Sequence, residues 1–132
     1  MSEAIDIHGT AFKNGSLTLL ARIVDDNGAN LTLAAANSVR YSVYLLDDQD
    51  PDVRTAVEGH DNVGLTIADV LFSSLQTGSI WTVDTTGYNF RHVLDVSSHP
   101  AFTLAGRRYL VEYRVMPVVG QVILVRFRIN VI

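Results

Sequence analysis

At 132 residues the chain fits one domain, which at this size buries roughly two-thirds of the surface of its unfolded state. A hydrophobic share of 48% with 18% charged residues argues against disorder, and the absence of cysteine excludes disulfides and thiolate metal sites. The net charge of −4 argues against a general nucleic-acid binder, because such binding depends on neutralising phosphates with basic residues. We therefore expect residues 1–132 to form a single domain that binds no nucleic acid.

The N-terminus and the basic residues give further information on the class of protein. Residues 1–6 have neither a basic nor an apolar export region, so we expect no secretory signal there. No apolar run approaches the roughly 20 residues of a membrane span, and we expect no membrane partner. Nine of the ten basic residues are arginine, which is enriched at protein interfaces where lysine is depleted. The alternative explanation is the codon bias of a GC-rich genome.

The first half of the chain reads as strands joined by polar turns. Weak alternation from Ala4 to Ile7 predicts that residues 1–14 form an edge strand or an arm. Residues 16–25 alternate more firmly and predict a strand, which an Asn-Gly turn at residues 27–28 reverses into residues 31–33. Residues 38–46 predict the next strand, with Tyr41 on one face and Arg40 on the other. An acidic loop, residues 47–52, and a short strand over 53–57 follow.

The second half contains one helix signal and three further strands. Thr66 to Asp69 resembles a capping box, and Ile67, Val70, Leu71 and Leu75 fall at helical spacing, which predicts a short connecting helix. Alternation from Tyr88 to Val96 predicts a strand, and a loop over 97–106 follows. Two period-2 runs, 108–115 and 122–132, then predict a terminal hairpin. Its predicted core residues are Tyr109, Val111, Tyr113, Val115, Ile123, Val125, Phe127, Ile129 and Val131.

Together these elements predict an all-β chain. About seven strands at this spacing, with one short helix, favour a single immunoglobulin-like antiparallel β-sandwich. A jelly roll or a small β-barrel is the alternative.

No residue pattern predicts a metal or cofactor site. Within the acidic loop an EF-hand frame begun at Asp48 fails, because Val53 stands where glycine is needed and Gly59 where the bidentate glutamate is needed. A solvated acidic turn is the expected state of the loop, with a calcium site of another type as the alternative. The four histidines, His8, His60, His92 and His99, lack zinc-ligand spacing. His92 shares the parity of Phe90, so we expect an imidazole at the core edge, bound to backbone.

Catalysis is also not expected. Ser97, Ser98, His99 and Asp95 are neighbours in sequence, but a triad requires geometry rather than adjacency, and there is no nucleophile elbow. Nucleotide-binding glycine motifs are absent as well. We therefore predict no catalytic residues, no cofactor and no small-molecule substrate. Trp81 is expected to lie mainly in the core, with a ligand-stacking platform as the alternative.

The outward face of the terminal hairpin is the strongest candidate for a binding surface. Arg108, Arg114, Arg126 and Arg128 share the non-core parity there, with Glu112 among them. Either they pair with acids across the strands or they dock an acidic partner, which copies of the chain itself could provide. The N-terminal arm around Ile5 and Ile7 is the second candidate interface.

Two segments carry a resemblance to a known group of proteins. Residues 17–32, LTLLARIVDDNGANLT, followed by SVRYSVY at 38–44, resemble the opening of small immunoglobulin-like modules in tailed-phage structural proteins, including baseplate upper proteins. Residues 109–113 and 120–127 are similar to the final hairpin of those modules, whereas residues 66–81 and 88–91 differ from them. The resemblance implies a virion building block of the head, neck or tail, with no catalytic residues.

From these observations we expect a structural component of a phage or phage-like virion, assembled in the host cytoplasm. Its partners would be other virion proteins and copies of itself. The alternative is a binding module at a bacterial cell surface that recognises a glycan or a protein.

Overall fold

The structure is a computed structural model that describes residues 5–25 and 27–132, without the side chains of Ile5 and Asp6. Strands make up 47% of the described residues and helices 6%, so the chain is all-β, with two sheets. In chain order the elements are β1 (Ile5–Ala11), β2 (Thr18–Ala21), a 3-10 helix (Leu33–Ala35), β3 (Ala36–Leu46), β4 (Arg54–Ala56), β5 (Val63–Leu65), α1 (Ile67–Val70), β6 (Leu71–Gln76), β7 (Tyr88–Val93), β8 (Arg108–Pro117) and β9 (Ile123–Val131).

The strands divide unequally between the two sheets. The larger sheet has the order β1-β9-β8-β3-β4, with β5 pairing the other half of β3, and the smaller sheet has the order β2-β7-β6. The β8–β9 hairpin lies inside the larger sheet, where β3 and β1 cover its two edges. All described pairings are antiparallel except β1 on β9, which is parallel. Within the segment 1–14 an edge strand therefore covers Ile5–Ala11, and Met1 to Ala4 lie outside the described residues.

The core forms where the inner faces of the two sheets meet. All nine apolar residues that alternate along the terminal hairpin are buried, because residues two apart in a strand point to the same face. Leu19, Ala21 and Ile23 cover them from the smaller sheet side. At the centre the rings of Phe90 and Tyr113 meet edge to face, with centroids 4.7 Å apart, which is a favourable aromatic geometry.

The expected helix is shorter than its sequence pattern. α1 ends at Val70, and Leu71 begins β6 and pairs with Phe90, so the prediction that Leu71 and Leu75 are helical is wrong. The capping box is also incomplete: the Thr66 side chain makes no cap hydrogen bond, and only its carbonyl accepts from the amide of Asp69. Pairing with β7 outweighs one turn of helix because four residues gain little from helix propagation.

The strand expected over residues 16–25 covers only Thr18–Ala21. Beyond it the Asp25 carboxylate accepts hydrogen bonds from the amides of Asn27 and Ala29, and Gly28 takes φ +80°. The reversal at Asn-Gly is therefore present, with an isolated bridge between Val24 and Asn30. The expected return strand over 31–33 is wrong, because the chain turns into the 3-10 helix at Leu33.

Candidate functional site

One face of the larger sheet points away from the core and carries most of the arginines. The register aligns outward residues in rows that cross the strands, such as Ser42, Glu112 and Arg126 on β3, β8 and β9. Six of the nine arginines lie on this face, which we call the arginine face: Arg40, Arg54, Arg108, Arg114, Arg126 and Arg128. Glu112 is the only acid among the described strand side chains of the face. A chain of net charge −4 therefore presents a locally positive surface.

Glu112 holds the middle of the arginine face. Its Oε2 lies 2.9 Å from Nε of Arg126 and 3.8 Å from Nη1 of Arg54, and its side chain is only 9% exposed. The guanidinium of Arg54 also stacks on the ring of Tyr44, 4.3 Å from the centroid. Cross-strand acid pairing, one of the two expected states, is thus realised at Arg126. Because a nearly buried carboxylate requires a partner, Arg126 has a structural role as well as a surface position.

Arg40 and Arg114 lie directly opposite each other on β3 and β8. Nε and Nη2 of Arg40 donate to the side-chain and backbone oxygens of Asn62, at 3.0 and 3.2 Å. Within the described chain neither arginine makes an ion pair. A shallow cleft of about 300 Å³ opens over the pair.

At one corner of the arginine face a cleft of about 410 Å³ separates the sheet from the acidic loop. Arg108, Arg128 and His8 line one wall, and Asp47 and Asp48 line the other. The structure therefore brings two of the four predicted hairpin arginines to the edge of the loop. Arg114 and Arg126 lie elsewhere on the same face.

The acidic loop is a self-supporting turn. Oδ1 of Asp47 accepts hydrogen bonds from the amides of Gln49 and Asp50, which lower the pKa of that carboxyl below its ordinary value. Oδ1 of Asp48 lies 2.7 Å from Nε of Arg107. No group of three acidic or histidine side chains with metal-site geometry occurs in the described ranges. The loop carboxylates instead hold their own backbone and one neighbouring arginine.

Trp81 does not lie in the core, so that prediction is wrong. It is half-buried in the loop between β6 and β7, where its Nε1 donates to Oδ1 of Asp84 at 2.9 Å and its ring lies 5.6 Å from that of Tyr88. Asp84 also accepts from Arg22 at 2.7 Å, and these two side-chain bonds lower the pKa of its carboxyl. In the core the ring of Tyr113 instead packs against those of Phe90 and Phe127, with centroids 4.7 and 5.7 Å away.

Trp81 borders a small apolar groove of about 180 Å³ between the edges of the two sheets. Ile7 of β1 lines the groove and is half-buried against the core, and the neighbouring Ile80 and Val83 are exposed. The side chain of Ile5, the other predicted arm residue, lies outside the described residues. The groove and the arginine face meet at β1.

Sequence analysis missed a buried group of polar rings. His60 is 2% exposed, with Nδ1 2.7 Å from the hydroxyl of Tyr41 and Nε2 2.7 Å from the carbonyl of His99. A carbonyl only accepts, so Nε2 carries a proton and donates to the carbonyl of His99. The pKa of the Tyr41 hydroxyl is raised, first by burial and then by the negative charge of Asp95.

His92 completes this group from β7. Its Nδ1 lies 2.6 Å from the hydroxyl of Tyr113, so the expectation of a backbone partner is wrong. Burial, followed by the charge of His60, lowers the pKa of His92 to about 4, so the ring is neutral at pH 7. Burial also raises the pKa of Tyr113. Period-2 parity places His92, Tyr41 and Tyr113 inward, but the position of His60, in a loop, has no such signal.

The neighbouring serines and His99 do not form a nucleophile–base pair in the structure. Both the amide and the hydroxyl of Ser97 donate to Oδ1 of Asp95, at 2.9 and 2.6 Å, and these bonds lower the pKa of that carboxyl. His99 contributes its backbone carbonyl to His60. The Asp95–Ser97 contacts have the geometry of a local turn.

Comparison with models of known protein families finds no matching family, and comparisons with curated proteins and with solved structures find no similar protein. None of the helices in the described ranges is long and apolar enough to span a bilayer.

Proposed function

We propose that the chain is a non-catalytic structural module that assembles with other proteins through the arginine face. The observation that carries the proposal is the concentration of six arginines on one sheet face of an otherwise acidic chain. Arginine is enriched in protein interfaces, and a positive surface steers the approach of an acidic partner. Acidic surfaces of other particle proteins, or of further copies, are the proposed partners.

We further propose an immunoglobulin-like sandwich as the finer fold. The orders β9-β8-β3-β4 and β2-β7-β6 correspond to strands G-F-C-C′ and B-E-D of that fold, although β1 pairs with β9 rather than with β2. Tyr109, at the start of β8, accepts a hydrogen bond on its hydroxyl from the amide of Leu104, at 3.1 Å. This is the arrangement of the tyrosine corner, in which a strand-F tyrosine bonds to backbone a few residues upstream. A jelly roll would instead need two four-stranded sheets.

The setting in a phage or phage-like virion, assembled in the host cytoplasm, rests on the resemblance of residues 17–32, 38–44, 109–113 and 120–127 to phage modules. The sandwich fold and the arginine face agree with that setting. In it the chain occupies the head, neck or tail and contributes contacts rather than chemistry.

Incorporation into particles tests this function. Particles are produced without the native gene for this chain, and either the wild-type chain or the double variant Arg108→Ser/Arg128→Ser is supplied separately. The particles are then purified. The melting temperature of the double variant is measured alongside, and a value within a few degrees of wild type shows that the fold persists. We expect incorporation to fall at least tenfold. Absence of the wild-type chain from purified particles would refute the virion setting, and unchanged incorporation of the variant would refute the role of the arginine face.

A second candidate function is a bacterial surface module that binds a glycan or a protein. The position of Trp81 favours it, because the ring borders the apolar groove instead of filling the core. In that case a glycan bound at the groove changes the emission of this single tryptophan. If the emission stays constant across a panel of cell-surface glycans, glycan binding at the groove is refuted.

A further inference from the structure

The placement of Arg40 opposite Arg114 should destabilise the sheet. Like charges directly opposite each other on neighbouring strands destabilise a sheet, and these two arginines are direct partners in the β3–β8 register. Glu112 is the nearest strand acid on β8, but its carboxylate is bound to Arg126. Among the described residues neither guanidinium makes an ion pair, although Asp61 also lines the cleft over them.

Arg40 is also held in place rather than left to move. Asn62, which takes φ +53°, binds the guanidinium through its side chain and its carbonyl, and its own amide donates to the hydroxyl of Ser42 at 2.8 Å. Nη1 of Arg40 lies over Gly64 of β5, where an added Cβ would come to 3.4 Å from it, an ordinary van der Waals distance. Such fixed placement reduces the entropy that a ligand must overcome.

We propose that Arg40 and Arg114 form a clamp for one carboxylate of an acidic side chain of a partner protein. This inference rests on the proposed function and names the chemistry of its central contact. A carboxylate between two guanidiniums accepts charge-assisted hydrogen bonds from both and removes their repulsion. The cleft over the pair, about 300 Å³, has room for a carboxylate side chain.

The surrounding charges favour a single carboxylate over a nucleic-acid backbone. Asp61 and Glu112 line the same cleft, and the chain has a net charge of −4. A polyanion that follows the surface would place several phosphates near these acids, whereas a single carboxylate needs only the position between the two arginines. We therefore assign the clamp to a protein partner.

Arginine Nε–H signals in proton–nitrogen spectra test the clamp. The probe is a capped peptide with the sequence of the acidic loop, LDDQDPDV, and its control is the amide peptide LNNQNPNV. We expect the acidic peptide to shift the signals of Arg40 and Arg114, and the amide peptide to leave them unchanged. Arg114→Gln should weaken peptide binding at least tenfold and Arg114→Lys several-fold, because lysine keeps the charge but loses the planar pair of donors.

Arg91→Gln is the matched control, since Arg91 is an exposed arginine on β7 of the other sheet. We expect it to change peptide binding less than twofold. Without peptide, Arg114→Gln should melt at the same temperature as wild type or higher, because it removes the like-charge pair. This result shows that any loss of binding does not come from unfolding.

Several outcomes would overturn the clamp. The first is the absence of any shift of the Arg40 and Arg114 signals at a peptide concentration on the order of 10 mM, which would mean a very weak affinity. The second is an equal loss of peptide binding in the Arg91 and Arg114 variants. The third is tighter binding of a twelve-nucleotide thymidine strand than of the acidic peptide. The particle assay separates this failure from that of the proposed function. If Arg108→Ser/Arg128→Ser blocks incorporation and Arg114→Gln does not, the arginine face stands without the clamp. If neither variant changes incorporation, both proposals fail.

Discussion

Lowering the pH should destabilise the protein through His92. This effect falls in a pH range where the carboxylates of the protein still contribute fully to its stability. The ring is half-buried, its Nδ1 lies 2.6 Å from the hydroxyl of Tyr113, and its centroid lies 5.0 Å from that of the Tyr41 ring. These surroundings favour the neutral form and lower the pKa to about 4 from 6.5. Above pH 6.5 the ring is neutral in both the folded and the unfolded state, so its contribution to stability is complete.

Between pH 6.5 and pH 4 the unfolded chain binds a proton at this position and the folded chain does not. The free energy of unfolding therefore falls by about 1.4 kcal/mol per pH unit, or roughly 3 kcal/mol over the whole window. Partial exposure of the ring reduces this to about 2 kcal/mol by solvent screening. Asp47 and Asp95 have lowered pKa values, so their contribution is lost only as the pH falls through and below about 4.

Urea unfolding of wild type and of His92→Gln between pH 7.5 and pH 4.5 measures this contribution. Glutamine keeps a polar group near Tyr113 but cannot titrate, so the variant should lose less stability than wild type over this range. Parallel pH profiles for wild type and His92→Gln, or a His92 pKa near 6.5 by NMR, would refute the reasoning.

Four other predictions concern three substitutions and the removal of metal ions. Arg126→Gln should cost about 1 to 3 kcal/mol because the nearly buried carboxylate of Glu112 loses its closest partner, and adding Glu112→Gln should restore part of that loss in urea unfolding. Tyr109→Phe should cost about 1 kcal/mol in the same assay through the lost bond to Leu104; no change would argue against the tyrosine corner. Gly87→Ala should cost about 2 kcal/mol or more, because φ is +111° and the new Cβ would meet the carbonyl of Gln76. Chelation with EDTA should leave the melting temperature unchanged, and a fall of many degrees would mean that the acidic loop holds a metal.

The fold was most predictable where one face of a long strand is buried. The terminal hairpin shows a strict period of two because its inward residues meet the core and its outward residues meet solvent, and the structure buries the nine predicted positions. The hydrophobic pattern is less informative where pairing with a distant strand determines the secondary structure. Leu71 and Leu75 fit a helix equally well, but pairing with β7 places them in β6. Trp81 was misplaced because composition alone cannot distinguish a core ring from one held at the surface by Asp84.

The candidate site was predictable only within one strand pair. Parity alone assigns Arg114 and Arg126 to the outer face of the hairpin, and the same parity places Arg40 outward on β3. What parity cannot supply is the register between β3 and β8, since these strands are separated by more than sixty residues and pair through the fold. That register puts Arg40 opposite Arg114 and Ser42 opposite Glu112. A one-residue slip would bury these charges, so the core on the inner face fixes the charge pattern on the outer face.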